Sequence, residues 1–66
     1  SDERAKENII RVGELDNGLG VYQYNYIGSV TPVIGVIAQE VELVKPEAVK
    51  EIGGLKHVNY AIATEV

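Results

Sequence analysis

Apolar positions do not spread evenly along this chain. The opening SDERAKEN is polar and charged, and the first apolar side chains, Ile9, Ile10 and Val12, follow it without a clear period. Ser1 and Asp2 both offer an oxygen to orphan backbone N–H groups, so either suits the cap of a short helical turn. After Asp16-Asn17-Gly18, a turn sequence whose Asn and Gly accept positive φ, the pattern sharpens. In VYQYNYI, Tyr22, Tyr24 and Tyr26 fall on one face and Val21, Gln23, Asn25 and Ile27 on the other. This alternation predicts a strand over 21–27.

A second loop is marked by Gly28-Ser29 and Thr31-Pro32, and VIGVIAQ then begins as a β-branched strand. From Ala38 the period changes. Ile37, Val41 and Val44 stand at i, i+4 and i+7, with Gln39, Glu40, Glu42 and Lys45 elsewhere, which predicts a short amphipathic helix. Pro46 closes it. VKEIGGLKHVNY reads as two strands about a Gly53-Gly54 turn, and the tail AIATEV is too short to classify, the first turn or two of a helix being one reading. The fold class expected is α+β: small antiparallel strands and hairpins with one short helix, in a single domain over 1–66.

Size changes the picture. A chain of 66 residues buries only about 60% of the surface its unfolded form exposes. Small folds usually gain stability from disulfides, a metal or partner subunits. There is no cysteine and one histidine, His57, so disulfides and ordinary zinc sites drop out and association with further copies is the expected remedy. Ten acidic against six basic residues, net −4, disfavour nucleic acid, and no run approaches the roughly 20 residues of a membrane span.

Candidate chemistry is sparse. The tyrosine stripe suits a core or an interface better than a sugar- or base-stacking surface. His57, with no nearby nucleophile, reads as structural or surface-borne rather than as a general base. Glu40 and Glu42, two apart on a helix, do not face each other and read as solvated surface. Ser1 and Lys6 have two readings. In one, Ser1 is a cap and Lys6 a solvent-exposed charge. In the other they form a Ser–Lys dyad, in which a neutral amine takes the hydroxyl proton; this needs burial or nearby cations to lower the lysine pKa. On an ideal helix the five-residue step sets them about 140° apart, so a dyad requires Ser1 outside the helix with Lys6 folding back.

SDERAKENI, GLGVYQYNYIG, IGVIAQEVELVKPEAV and GGLKHVNYAIA resemble, in order, successive blocks of one family: the C-terminal intramolecular chaperone domains of phage endosialidases and related tail spikes and fibres. The most specific pieces are Gly35–Val41 with Pro46–Val49, and Ser1-Asp2 with Lys6 and Asn8. The resemblance implies a homotrimeric domain that brings three chains into register and is then released by serine-dependent self-cleavage. Ser1 matches the dyad serine and Lys6 the dyad lysine. Asp2 and Asn8 match motif positions that support local geometry, and the block holding Ala38, Gln39 and Glu40 matches fold and trimer machinery. The implied partner is the N-terminal fibre or spike portion of the same precursor, with no cofactor or metal. Ser1 is then expected to be the residue left by cleavage immediately before it. The implied setting is the host cytoplasm during virion assembly, and the virion tail if the domain is retained.

Overall fold

A computed structural model of the chain describes residues 2–64. A 3-10 turn, Glu3–Ala5, opens it, followed by strand β1 (Lys6–Glu14), strand β2 (Gly20–Tyr26) and strand β3 (Val33–Gly35). Helix α1 (Ala38–Val44) and a 3-10 turn (Pro46–Ala48) lead into strands β4 (Val49–Ile52) and β5 (Leu55–Val58), and helix α2 (Tyr60–Ala63) ends the described chain. β1, β2 and β3 form an antiparallel sheet in that order, and β4 and β5 form a separate hairpin. The α+β class holds, and α2 supplies one helical turn at the start of the tail, where the sequence left a helical turn open.

The expected strand, loops and α1 lie where their patterns placed them, but β1 was not visible as a strand. Its pairing with β2 shifts register twice, between Glu7 and Ile10 and between Arg11 and Gly13. Each shift adds one residue to β1, so apolar and polar positions exchange faces and the period-2 signal disappears. Asn8 carries the first irregularity with φ 56°, a left-handed conformation that Asn adopts more readily than most side chains. Gly53 and Gly54, at φ 60° and 81°, make the β4–β5 turn as their sequence implied.

The apolar core is small: Leu19, Val36, Val41, Ala48 and Ala63, with Leu15, Val49, Val58 and Ile62 packed against it. Of the helix face expected to be buried, Ile37 and Val41 are buried, whereas Val44 is 61% exposed. Val44 is the last residue of α1, at the end where Pro46 stops the helix, and none of the described core residues covers it. The Asp16-Asn17-Gly18 turn is also tied to the far end of the chain, since Asn17 Nδ2 donates to Ala63 O at 2.6 Å.

Candidate functional site

Asp2 caps the opening turn. Its Oδ1 accepts the Arg4 N–H at 2.9 Å, as a cap oxygen should, and the same carboxylate also receives Arg4 Nε at 3.0 Å and Nη2 at 2.6 Å. Gln39 Nε2 donates to Oδ1 at 2.7 Å and the Lys56 backbone N–H to Oδ2 at 2.8 Å. With 2% of its surface exposed, Asp2 is buried yet fully engaged. The Arg4 guanidinium, acting with these other donors, holds its carboxyl far below the usual carboxylate range despite burial. Gln39 completes the clasp through Oε1, which accepts Glu3 N–H at 2.9 Å.

Four residues on, β1 begins with Lys6, which is only 5% exposed. The solvated-charge reading of Lys6 is therefore wrong. Pairing of Lys6 with Tyr26 aims the side chain across the tyrosine face of β2. Its Nζ lies 3.9 Å from the centroid of the Tyr24 ring and donates to Val36 O at 2.8 Å. Burial lowers the Lys6 pKa, and the Asp2 carboxylate acts in the opposite direction. A lysine that is buried, held by one carbonyl and shifted downward is suited to accept a proton.

The tyrosines build the wall behind it. Tyr24 is buried and meets Tyr26 edge to face, with centroids 5.4 Å apart and hydroxyls 3.4 Å apart; burial drives the Tyr24 phenol well above its usual range. Tyr22 is directed elsewhere, donating its hydroxyl to Glu40 Oε2 at 2.6 Å, and this bond raises its pKa. Glu40 thus fastens α1 to β2 instead of merely facing solvent. Tyr60, whose hydroxyl accepts Val36 N–H at 3.3 Å, belongs to the same wall and carried no signal in the sequence.

Asp2, Lys6 and Gln39 therefore converge on one region, Glu40 supports it from α1, and Asn8 stands apart. Asn8 Nδ2 donates to Asn25 Oδ1 at 2.8 Å on an exposed surface, a fixture of the bulge. Ser1 lies outside the described residues. A cleft of about 360 Å³ borders the turn, lined by Asp2, Ala5, Tyr26, Leu55, His57 and Val58 among others. His57 lines it from an exposed position. Among the described residues no three His, Cys, Asp or Glu side chains are grouped to hold a metal, and no helix is long and apolar enough to cross a membrane.

The family model for the chaperone of endosialidase, whose name also classes it as a peptidase, matches residues 1–50. The chain belongs to the endosialidase-chaperone family. A chaperone role follows from that membership, and a serine-peptidase character from the family's peptidase name. The match covers Asp2, Lys6, Asn8, Gln39 and Glu40 and ends inside β4. No curated protein and no solved structure matches this endosialidase-chaperone chain.

Proposed function

We propose that this endosialidase-chaperone domain trimerises, brings the chains of a phage tail spike or fibre into register, and then releases itself by cutting the bond before Ser1. The observation that carries the chemistry is the buried Lys6 amine, fixed on Val36 O and lowered in pKa by burial. In the precursor, Ser1 Oγ attacks the carbonyl carbon of the preceding residue while Lys6 Nζ takes the hydroxyl proton. The peptide C–N bond breaks, the proton passes to the departing Ser1 nitrogen, and an ester to Ser1 Oγ remains. Water then attacks that ester with Lys6 again as base, freeing the upstream carboxylate and restoring the serine hydroxyl. Both oxygens and protons are accounted for, and no cofactor enters.

Trimerisation is supported by the surface of β1. This edge strand exposes Ile10 (60%) and Val12 (54%), and Lys6 is its one buried residue. An uncovered edge strand with apolar side chains invites pairing, and with a core this small a second and third copy supply the missing burial. Entwined fibres have high contact order, so non-local pairing must overcome closure entropy before any contact is rewarded. An early-forming cap raises the local concentration of the strands it joins. Removing it afterwards makes the finished fibre kinetically stable.

The test is expression of the domain behind its fibre segment, as wild type, Ser1→Ala and Lys6→Ala, followed by denaturing gel and sedimentation. Two fragments from wild type, one chain from each variant and a threefold mass for the folded particle are expected. Equal cleavage in all three would remove the dyad and leave a non-catalytic assembly module.

A further inference from the structure

We propose that Asp2 is a positioning residue for cleavage that senses the seating of the β4–β5 hairpin, so that the opening turn reaches working geometry only when α1 and the hairpin are both docked. This rests on the self-cleavage reading above. Three parts of the chain meet on one carboxylate: Arg4 from its own turn, Gln39 from α1 and the Lys56 N–H from β5. Arg4 extends the link, since its Nη2 also donates to Gly54 O in the hairpin turn at 2.8 Å. The hairpin is seated independently of Asp2, by Val49 and Val58 packed against the apolar core, and the partly exposed Lys56–Glu42 ion pair to α1 adds little to that seating.

Asp2 is bonded directly to Ser1, so whatever holds Asp2 also limits how far the nucleophile's residue can move. Lys6 is fixed separately, on Val36 O just ahead of α1. The distance between hydroxyl and amine therefore depends on where Asp2 is held. With the hairpin undocked, a buried carboxylate would lose one backbone donor and Arg4 would lose its carbonyl, and the burial of Asp2 would no longer be compensated. The turn would relax and the nucleophile would lose its position. The hairpin runs beyond the residues matched by the family model, so this coupling comes from the geometry of the chain itself.

Asp2 also sets the electrostatics of the amine. The groups set against Lys6 are the Tyr24 ring and Tyr26 from β2 and Asp2 from the turn; the Tyr60 hydroxyl from α2 holds the N–H of Val36, whose carbonyl receives the amine, and Gln39 from α1 reaches Asp2. Among these, Asp2 is the carboxylate, and it favours the charged form of the amine.

Single-turnover cleavage of the full precursor, followed across pH, tests the proposal. Lys56→Pro deletes the N–H that reaches Asp2, while Lys56→Ala keeps that N–H and loses only the ion pair to Glu42. Lys56→Pro is expected to slow cleavage about 100-fold and Lys56→Ala to cleave close to the wild-type rate. Asp2→Asn is expected to slow cleavage and to move the rising limb of the pH–rate profile to lower pH, because the amine loses the anion that favours its charged form. Equal slowing by both Lys56 variants, or a wild-type rate and unmoved limb in Asp2→Asn, overturns the proposal. If circular dichroism shows Lys56→Pro unfolded, the Asp2→Asn profile decides alone. Cleavage persisting in Ser1→Ala would instead remove the self-cleavage reading itself.

Discussion

The Lys6 amine nitrogen sits 3.9 Å above the centre of the Tyr24 ring. Such a contact favours the ammonium, by about 1 kcal/mol or more when desolvated, so Tyr24 partly offsets the effect of burial. Tyr24→Phe keeps the ring and loses only a long hydroxyl contact to Tyr26. It is expected to cost less than about 1 kcal/mol and to leave cleavage intact. Tyr24→Leu removes the ring from under the amine and is expected to cost about 2–4 kcal/mol in equilibrium urea unfolding, by analogy with large-to-small core substitutions.

Burial of Lys6 also sets a pH dependence of stability. Between its lowered folded value and the ordinary 10.5, the unfolded chain binds more protons than the folded one, so stability rises with pH across that window. Below the window the cost of a buried charge is fully present; above 10.5 it is gone. Lys6→Met should lack this rise. Tyr22 and Tyr24 act oppositely, because their raised values make stability fall once unfolded phenols ionise near 10.0. Melting curves of wild type and Lys6→Met should therefore be compared below pH about 10. Parallel curves would contradict the burial account.

Asp2 and Arg4 form one ion pair with unequal consequences. Asp2 is buried and Arg4 largely exposed. Asp2→Ala strips a five-donor clasp and is expected to cost about 1.5–3 kcal/mol, while Arg4→Ala, on the exposed partner, should cost clearly less. The Asp2 contribution is present above the unfolded carboxylate value near 3.9 and is lost as pH falls toward the depressed folded value. Acid titration of wild type against Asp2→Asn measures it directly, and the difference between them should shrink as the pH falls below about 4.

Gly35 closes the tyrosine wall. A Cβ there would lie 2.7 Å from the Tyr60 hydroxyl and 2.8 Å from that of Tyr24. Gly35→Ala is expected to cost about 1–3 kcal/mol by overpacking. Adding Tyr60→Phe should recover part of that loss in the double variant, as read by chemical unfolding, whereas strictly additive losses would mean that the hydroxyls are not the obstacle.

Much of this was legible in the residues. The alternation in VYQYNYI, the change of period at Ala38, and Gly53-Gly54 each have one dominant local cause, and those elements formed where expected. β1 was not, because its two bulges move side chains between faces and leave Ile9, Ile10 and Val12 without a period. The burial of Lys6 was equally hidden: its neighbours Arg4, Glu3 and Glu7 are charged, and only the pairing opposite Tyr26 turns it inward. The Asp2–Lys56 contact spans 54 positions and uses a backbone N–H, which no side-chain pattern records. Resemblance to the family singled out Ser1, Asp2, Lys6 and Asn8 together, but three-dimensional packing separates Asn8 from the clasp.

Lys6→Arg in the uncleaved precursor tests the central claim most directly. Arginine keeps a cation of similar reach but does not give up its proton in proteins, so it can hold a position but cannot serve as base. A folded Lys6→Arg precursor that stays one chain on a denaturing gel, while wild type yields two, is the predicted result. Cleavage of that variant at the wild-type rate would contradict proton transfer through Lys6.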